Sequence, residues 1–189
     1  MQSSTTDVAE LIRLAKEYNQ EAFTELYRMS VQPVYRYLFA RVSSTDVAED
    51  LTQEVYMAAV SGIGALRSGE ESGLYAWLFQ IARYKLADYM RKRYHKQETT
   101  LDEADSWEAD TPSPEESAVD AEDRAEVARA LGQLTDEQRE VMLYKYVLEY
   151  DNQKTAQLLG KNINSVNQLH HRALASLHRI LTGGKKLIS

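Results

Sequence analysis

The stretch from Leu74 to Lys96 constrains the fold most strongly, because it has the period of one amphipathic helix. At about 100° per residue its apolar side chains fall on one side, namely Leu74, Leu78, Ile81, Ala82, Leu86 and Tyr89. The opposite side carries Gln80, Arg83, Tyr84, Ala87, Arg91 and Tyr94. We therefore predict a helix that packs by one side and presents guanidinium groups and aromatic rings on the other.

This basic and aromatic side has two interpretations. Cations bind phosphates and flat rings stack on unpaired bases, so the side suits melted nucleic acid. A solvated basic face that tolerates two tyrosines is the simpler interpretation of the helix taken by itself. The choice between them depends on the rest of the chain.

The composition favours an all-α protein. The 189 residues include 8 Gly, 3 Pro and few runs of Val, Ile or Thr. There is no cysteine, so we expect neither a disulfide nor a thiolate metal site. The N-terminus lacks the basic start and apolar core of a signal peptide, and no apolar run approaches the ~18 residues of a membrane span. We expect a cytoplasmic protein.

The net charge of −7 is concentrated in one segment. Residues 97–126 hold twelve of the 29 acidic residues against one base, Arg124, and the flanking parts are mildly basic. The segment contains the sequence TPSP and has no sustained helical period before about Ser117. We therefore predict two small helical domains, residues 1–96 and 118–189, joined by an acidic flexible linker at 97–117.

Residues 7–42 of the first domain have helical periods, and Pro33 is expected near a helix start or a kink. Residues 43–60 predict another helix, with Ser44, Thr45 and Asp46 as N-cap candidates and Glu49 three residues after Asp46, as in a capping box. Its predicted buried stripe is Val47, Leu51, Val55 and Ala58. Other parts of its surface carry Asp50, Gln53, Glu54 and Met57. Residues 61–73 contain four glycines and are expected to form a flexible connection.

The second domain has the spacing of a helix-turn-helix. Thr135 and Asp151 are N-cap candidates, Gly160 suits a left-handed turn, and a longer helix is predicted from Asn164 or Ser165 to about Leu181. The outer arc of that helix carries Asn164, Asn167, Gln168, His171 and Ala175, with Arg172 at its edge. Amides and an arginine suit base edges and phosphates, although a packing hairpin with a polar face has the same spacing.

His170 falls near the buried side of the same helix, where a half-buried, hydrogen-bonded imidazole is expected. Adjacent His170 and His171 point about 100° apart, so they form a poor chelating pair.

Three motifs, in order, resemble a bacterial RNA polymerase sigma factor of the extracytoplasmic-function (ECF) group of the sigma-70 family. DVAEDLTQEVY at 46–56 is similar to the core-binding helix, and LYAWLFQIARYKLADYMRKR at 74–93 to the promoter-melting and −10 helix. LTDEQREVMLYKYV at 134–147 with TAQLLGKNINSVNQLHHRALASLHRIL at 155–181 is similar to the −35-reading domain. The resemblance covers nearly the whole chain except the acidic linker.

The resemblance implies partners for each motif. The core-binding helix would contact the coiled clamp helices of the polymerase β′ subunit through Asp50, Gln53, Glu54 and Met57. The opened −10 DNA would be held by Gln80, Arg83, Tyr84, Arg91 and Tyr94. The −35 major groove would be read by Asn164, Ser165, Asn167, Gln168, His171 and Arg172, with the domain leaning on the β flap. An anti-sigma factor is a common partner in the family.

This chain departs from the family pattern at two places, and each departure affects how we expect it to bind DNA. The family often has Asn where Tyr84 stands, which affects the −10 preference. It also tends to place Lys or Arg around residues 167–169, where this chain has none. Fewer bases release fewer counterions, at roughly −0.9 in log–log salt slope per phosphate contact, so we expect weak DNA binding by the isolated second domain.

The leading hypothesis is thus a promoter-specificity subunit with no catalysis, cofactor, metal or small-molecule substrate of its own. A stand-alone helix-turn-helix regulator would explain the second domain but neither the core-binding motif nor the basic and aromatic helix face. An enzyme lacks support, because no Gly-rich phosphate loop or metal-spaced cluster is present. A helical adaptor explains everything except the ordered motifs.

Overall fold

The computed structural model describes residues 7–99, 126–127 and 129–183, with the backbone alone for 94–99. Throughout these residues the regular structure is helical and no strand is formed, which confirms the all-α prediction. The chain divides into two compact units, Met1–Asp105 and Ser106–Ser189. Most of the predicted linker, including both of its prolines, lies outside the described residues, so its boundaries stay a prediction.

The first unit consists of helices α1 (Val8–Lys16), α2 (Gln20–Val42), α3 (Thr45–Gly62) and α4 (Glu71–Thr99), with a 3-10 turn at Ile63–Ala65. Helix α3 packs against both α2 and α4. The centre of this core is formed by fully buried side chains, among them Ile12, Val34, Tyr37, Leu38, Val55, Leu74, Leu78 and Phe79.

Two local expectations for this unit are corrected in one part each. Pro33 lies in the interior of α2 rather than near its start, since α2 begins at Gln20 after the N-cap Asn19, whose Oδ1 accepts the Ala22 N–H at 2.9 Å. Of the candidate caps of α3, Ser44 is the N-cap, and Asp46 lies inside the helix.

Much of the connection at 61–73 is ordered by packing rather than irregular. Helix α3 continues to Gly62, the 3-10 turn follows, and the side chains of Ile63 and Leu66 are buried. Gly73 already belongs to α4, and a Cβ built there would overlap the Cβ of Ser68. The glycine therefore permits the close approach of the loop to the first turn of α4.

The second unit contains a helical segment at 129–132 and helices α5 (Asp136–Met142), α6 (Asn152–Leu159) and α7 (Ile163–Gly183). A π-helical turn at Leu143–Val147 follows α5. Two apolar clusters form its core, one with Leu134, Met142 and Ala173 and the other with Val141, Ala156 and Val166.

The predicted caps of this unit are confirmed. Thr135 and Gln138 form a reciprocal capping box at the start of α5. Asp151 accepts the Lys154 N–H at 2.7 Å at the start of α6, and Gly160 ends that helix with φ +63°. These signals lie within four residues of the helix end that they define, so the sequence alone can show them.

Arg139 holds the turn before α5. Its Nε donates to the Leu131 carbonyl at 2.9 Å, and its Nη2 donates to the carbonyls of Gly132 and Leu134 at 2.7 and 3.0 Å. One guanidinium thus satisfies three main-chain acceptors where the preceding helical segment ends.

Candidate polymerase and promoter interfaces

The polar residues predicted on α3 are exposed. Asp50, Gln53, Glu54 and Met57 lie on the surface, and Met57 is 72% exposed. The buried side is Ala48, Leu51, Thr52, Val55, Tyr56 and Ala59, whereas Val47 and Ala58 are only half-buried. The expected stripe is therefore wrong at its edges, because contact with both α2 and α4 widens and rotates the buried arc.

Helix α4 has the two sides that its period predicts. Leu74, Leu78, Ala82 and Leu86 are buried, and Ile81 and Tyr89 are half-buried. On the opposite side Gln80, Tyr84 and Arg91 are exposed, Arg83 is half-buried, and Tyr84 is 69% exposed. The side chain of Tyr94 lies outside the described residues. The exposed ring and guanidinium groups form a surface on which unpaired bases can stack.

Acidic residues pair with cations beside this surface. Asp88 binds Arg91 at 2.5 Å and Lys92 at 2.8 Å, and the hydrogen bonds from Lys92 and Arg91 lower the pKa of the Asp88 carboxyl. Lys85 of α4 binds Glu54 of α3 at 3.1 Å. An ion pair thus joins the helix of the predicted polymerase face to the helix of the predicted DNA face.

Sequence reasoning did not find these pairs. The spacing of Asp88 to Arg91 and Lys92, at i+3 and i+4 on one helix, is a signal that could have found them. Glu54 and Lys85 are 31 residues apart, and no local pattern relates them.

Helix α7 presents most of its predicted residues to solvent. Asn164, Gln168, His171 and Arg172 are exposed, while Ser165 and Asn167 are half-buried. The helix begins at Ile163, one residue before the predicted start. Asn162 was missed as its cap, although its Oδ1 accepts the Ser165 N–H at 2.8 Å.

Polar contacts support α7 from behind. Lys145 donates to the Asn152 side chain at 2.5 Å, and Asn152 donates to the Asn167 side chain at 2.7 Å. His170 is half-buried, as expected, with its Nε2 2.9 Å from the Tyr146 hydroxyl. Burial, with the charge of Lys145, lowers the pKa of His170. Within the described part of the chain, no three His, Cys, Asp or Glu residues are grouped to hold a metal.

Comparisons with known proteins match both units. The family model for sigma-70 region 2 matches residues 26–95, and that for sigma-70 region 4 matches residues 124–177. The ECF RNA polymerase sigma factor BldN of Streptomyces coelicolor is 32% identical over 181 residues, covering 95% of this chain and 67% of BldN. SigX of Bacillus subtilis, also an ECF sigma factor, is 32% identical over 167 residues, covering 85% of this chain and 84% of SigX. The chain belongs to the ECF sigma factors.

Solved structures support the helical fold of this sigma factor. CnrH, in complex with the cytosolic domain of CnrY, has a TM-score of 0.66 at 21% identity, covering 93% of this chain and 97% of CnrH. RpoE of Bartonella quintana, in complex with the anti-sigma factor NepR, has a TM-score of 0.60 at 23% identity, covering 85% of this chain and 96% of RpoE.

The sigma factor is a promoter-recognition subunit for RNA polymerase, and the stand-alone regulator is disfavoured. Its relatives are transcription initiation factors, and they indicate no catalytic activity. Among the helices at 7–99 and 129–183, none is long and apolar enough to cross a membrane.

Proposed function

We propose that this sigma factor binds core RNA polymerase through the exposed face of α3 and holds melted −10 DNA on the exposed side of α4. The polymerase face is Asp50, Gln53, Glu54 and Met57, and its target is the coiled clamp helices of β′. The DNA face is Gln80, Arg83, Tyr84, Arg91 and Tyr94. The exposed Met57 and Val60 add apolar surface to the polar residues of α3, a combination that suits contact with a protein partner.

The second unit would read the −35 element through α7, using Asn164, Ser165, Asn167, Gln168, His171 and Arg172, while it leans on the β flap. Residues 1–96 would then act as region 2 and residues 118–189 as region 4. The acidic linker at 97–117 would thread through the polymerase between them. Because the polymerase would hold both units on the promoter together, the second unit could bind DNA despite the few cations on α7.

The cell would control this sigma factor with an anti-sigma factor. RpoE is solved in complex with the anti-sigma factor NepR, and its fold is the fold found here. We place the protein in the cytoplasm, where it would act without a catalytic residue, cofactor or small-molecule substrate.

The single observation that carries the proposal is the exposure of Tyr84 near Arg91 on a helix whose opposite side packs into the core. The exposed ring can stack on an unpaired base of the melted strand. Run-off transcription with purified core enzyme on a library of genomic fragments tests the proposal, and we expect discrete start sites that depend on this chain.

Variants separate the two faces of the first unit. Asp50→Arg should abolish co-elution with core polymerase, whereas Tyr84→Ala should preserve co-elution and reduce promoter opening, measured by permanganate reactivity of unpaired thymines. Tyr18→Ala is the matched control, because Tyr18 is an 85% exposed tyrosine outside both faces. Equal loss of opening in the Tyr18 and Tyr84 variants would contradict the assignment of α4.

A further inference from the structure

Three side chains form a hydrogen-bonded relay behind the exposed arc of α7. Nζ of Lys145 lies 2.5 Å from Oδ1 of Asn152, and Nδ2 of Asn152 lies 2.7 Å from Oδ1 of Asn167. All three residues are half-buried. The relay runs from the π-helical turn through the first residue of α6 to the second turn of α7.

The ammonium group of Lys145 determines which atoms donate and which accept along the relay. An ammonium group has three donors and no acceptor, so the oxygen of Asn152 must face Lys145. The amide nitrogen of Asn152 then faces Asn167 and donates to its oxygen. The polar atom of Asn167 that remains for a further contact is Nδ2, which carries only donor hydrogens.

Because Asn167 lies among the exposed residues of α7, the direction of its hydrogen bond affects which DNA bases it can contact. Asn167 lies beside Gln168 and one turn from Asn164 and His171, which are all exposed, and no side chain of the described residues accepts from its Nδ2. A free asparagine can bind adenine with oxygen and nitrogen together, but the oxygen of Asn167 is directed to Asn152, from which it accepts. A donor alone can bind guanine N7 or O6, and it cannot bind the cytosine amino group.

We propose that Asn152 is a positioning residue that makes Asn167 a hydrogen-bond donor toward DNA, so that one −35 position selects guanine over cytosine on the contacted strand. The inference rests on the proposed reading of the −35 major groove by α7. It adds that Asn167 donates a hydrogen bond to the base rather than accepting one.

Reversing the relay tests the inference. In Asn152→Asp, the carboxylate only accepts, so it still binds Lys145 but now requires the Nδ2 of Asn167. Asn167 must turn over and present its oxygen to DNA, where it can accept from cytosine N4. The first turn of a helix favours an acidic residue, so the change suits α6.

The measurement is transcription by polymerase reconstituted with full-length wild-type or variant chain, on promoters randomised across the −35 element. For the wild type we expect one position with about fivefold more transcripts for guanine than for cytosine, the effect of a single hydrogen bond. The Asn152→Asp chain should reverse the preference at that position. Asn167→Asp should reverse it too, without any change in α6.

Controls separate orientation from simple damage. Lys145→Met removes the group that sets the direction, so the preference should disappear rather than reverse. Gln153→Ala changes an exposed amide next to Asn152, outside both the relay and the proposed −35 residues, and it should leave the preference at the Asn167 position intact. The inference is overturned if the wild type shows −35 preferences that are identical in Asn152→Asp and Asn167→Asp. A wild type that directs no transcription would instead overturn the proposed function, and the inference with it.

Discussion

The hydroxyl of Tyr75 in α4 donates a hydrogen bond to the main-chain carbonyl of Met29 in α2 at 2.9 Å. Met29 lies four residues before Pro33, which has no N–H to donate to that carbonyl. A proline in the interior of a helix therefore has its lost hydrogen bond supplied by a side chain from a different helix. The same contact docks the start of the predicted DNA-binding helix on α2.

The first prediction tests this replacement. Tyr75 is only 5% exposed, so Tyr75→Phe should leave the Met29 carbonyl without its donor and lower the free energy of unfolding by about 1–3 kcal/mol. In a Pro33→Ala background the restored N–H can serve Met29, so the same change should cost much less. Urea unfolding of the four chains measures the coupling, and equal costs in both backgrounds would contradict the account.

The second prediction concerns the close contact of Gly73 with Ser68. Gly73→Ala should lower the free energy of unfolding by about 1–3 kcal/mol, because its Cβ would overlap the Cβ and Oγ of Ser68. Ser68→Gly should restore much of the loss when the two are combined. Gly64→Ala is the control, since an added Cβ there meets no atom within 4 Å. Similar losses at Gly64 and Gly73 would indicate a general intolerance of the loop instead.

The third prediction concerns the Thr155 hydroxyl in α6. Thr155 is fully buried, and its Oγ1 has no hydrogen-bond partner in the described part of the chain. Thr155→Val keeps the shape and removes the unsatisfied group, so the free energy of unfolding should rise by about 1 kcal/mol. Thr155→Ser keeps the hydroxyl and removes a methyl group, and it should be destabilising. A destabilising valine would show that the hydroxyl has a partner.

The fourth prediction is a pH dependence. Because burial lowers the pKa of His170 in the folded chain, the unfolded chain binds more protons near the ordinary value of about 6.5. Stability should thus fall as the pH drops through that value and be fully present above it. His170→Gln should flatten the urea-unfolding profile between pH 8 and 5.5. An NMR titration that places the folded His170 at or above 6.5 would contradict this.

Local signals explain how much of the fold was predictable. The two sides of α4, the capping box at Thr135 and the turn at Gly160 follow from periods and spacings within a few residues, and all are found. Pro33 does not mark the start of a helix, because the hydrogen bond that it removes is supplied by Tyr75, which is 42 positions away in the sequence. Long-range contacts of this kind leave no trace in a local pattern.

The candidate surfaces were likewise predictable only in part. Their exposed residues could be found from helical periods, whereas the groups that orient them could not. Asn152 is one example, because its contact with Asn167 exists only after α6 and α7 have packed. Lys85 is another, because its partner Glu54 belongs to a different helix.

The ion pair between Glu54 and Lys85 also has a consequence for engineering. Moving α4 alone into another sigma factor, to transfer the −10 specificity proposed for it, would separate Lys85 from Glu54, its partner in α3. Hybrid factors should accordingly exchange α3 and α4 as one cassette. With the roles proposed for these helices, such an exchange would transfer promoter choice and affinity for the polymerase together, which limits how independently an orthogonal regulator can be tuned.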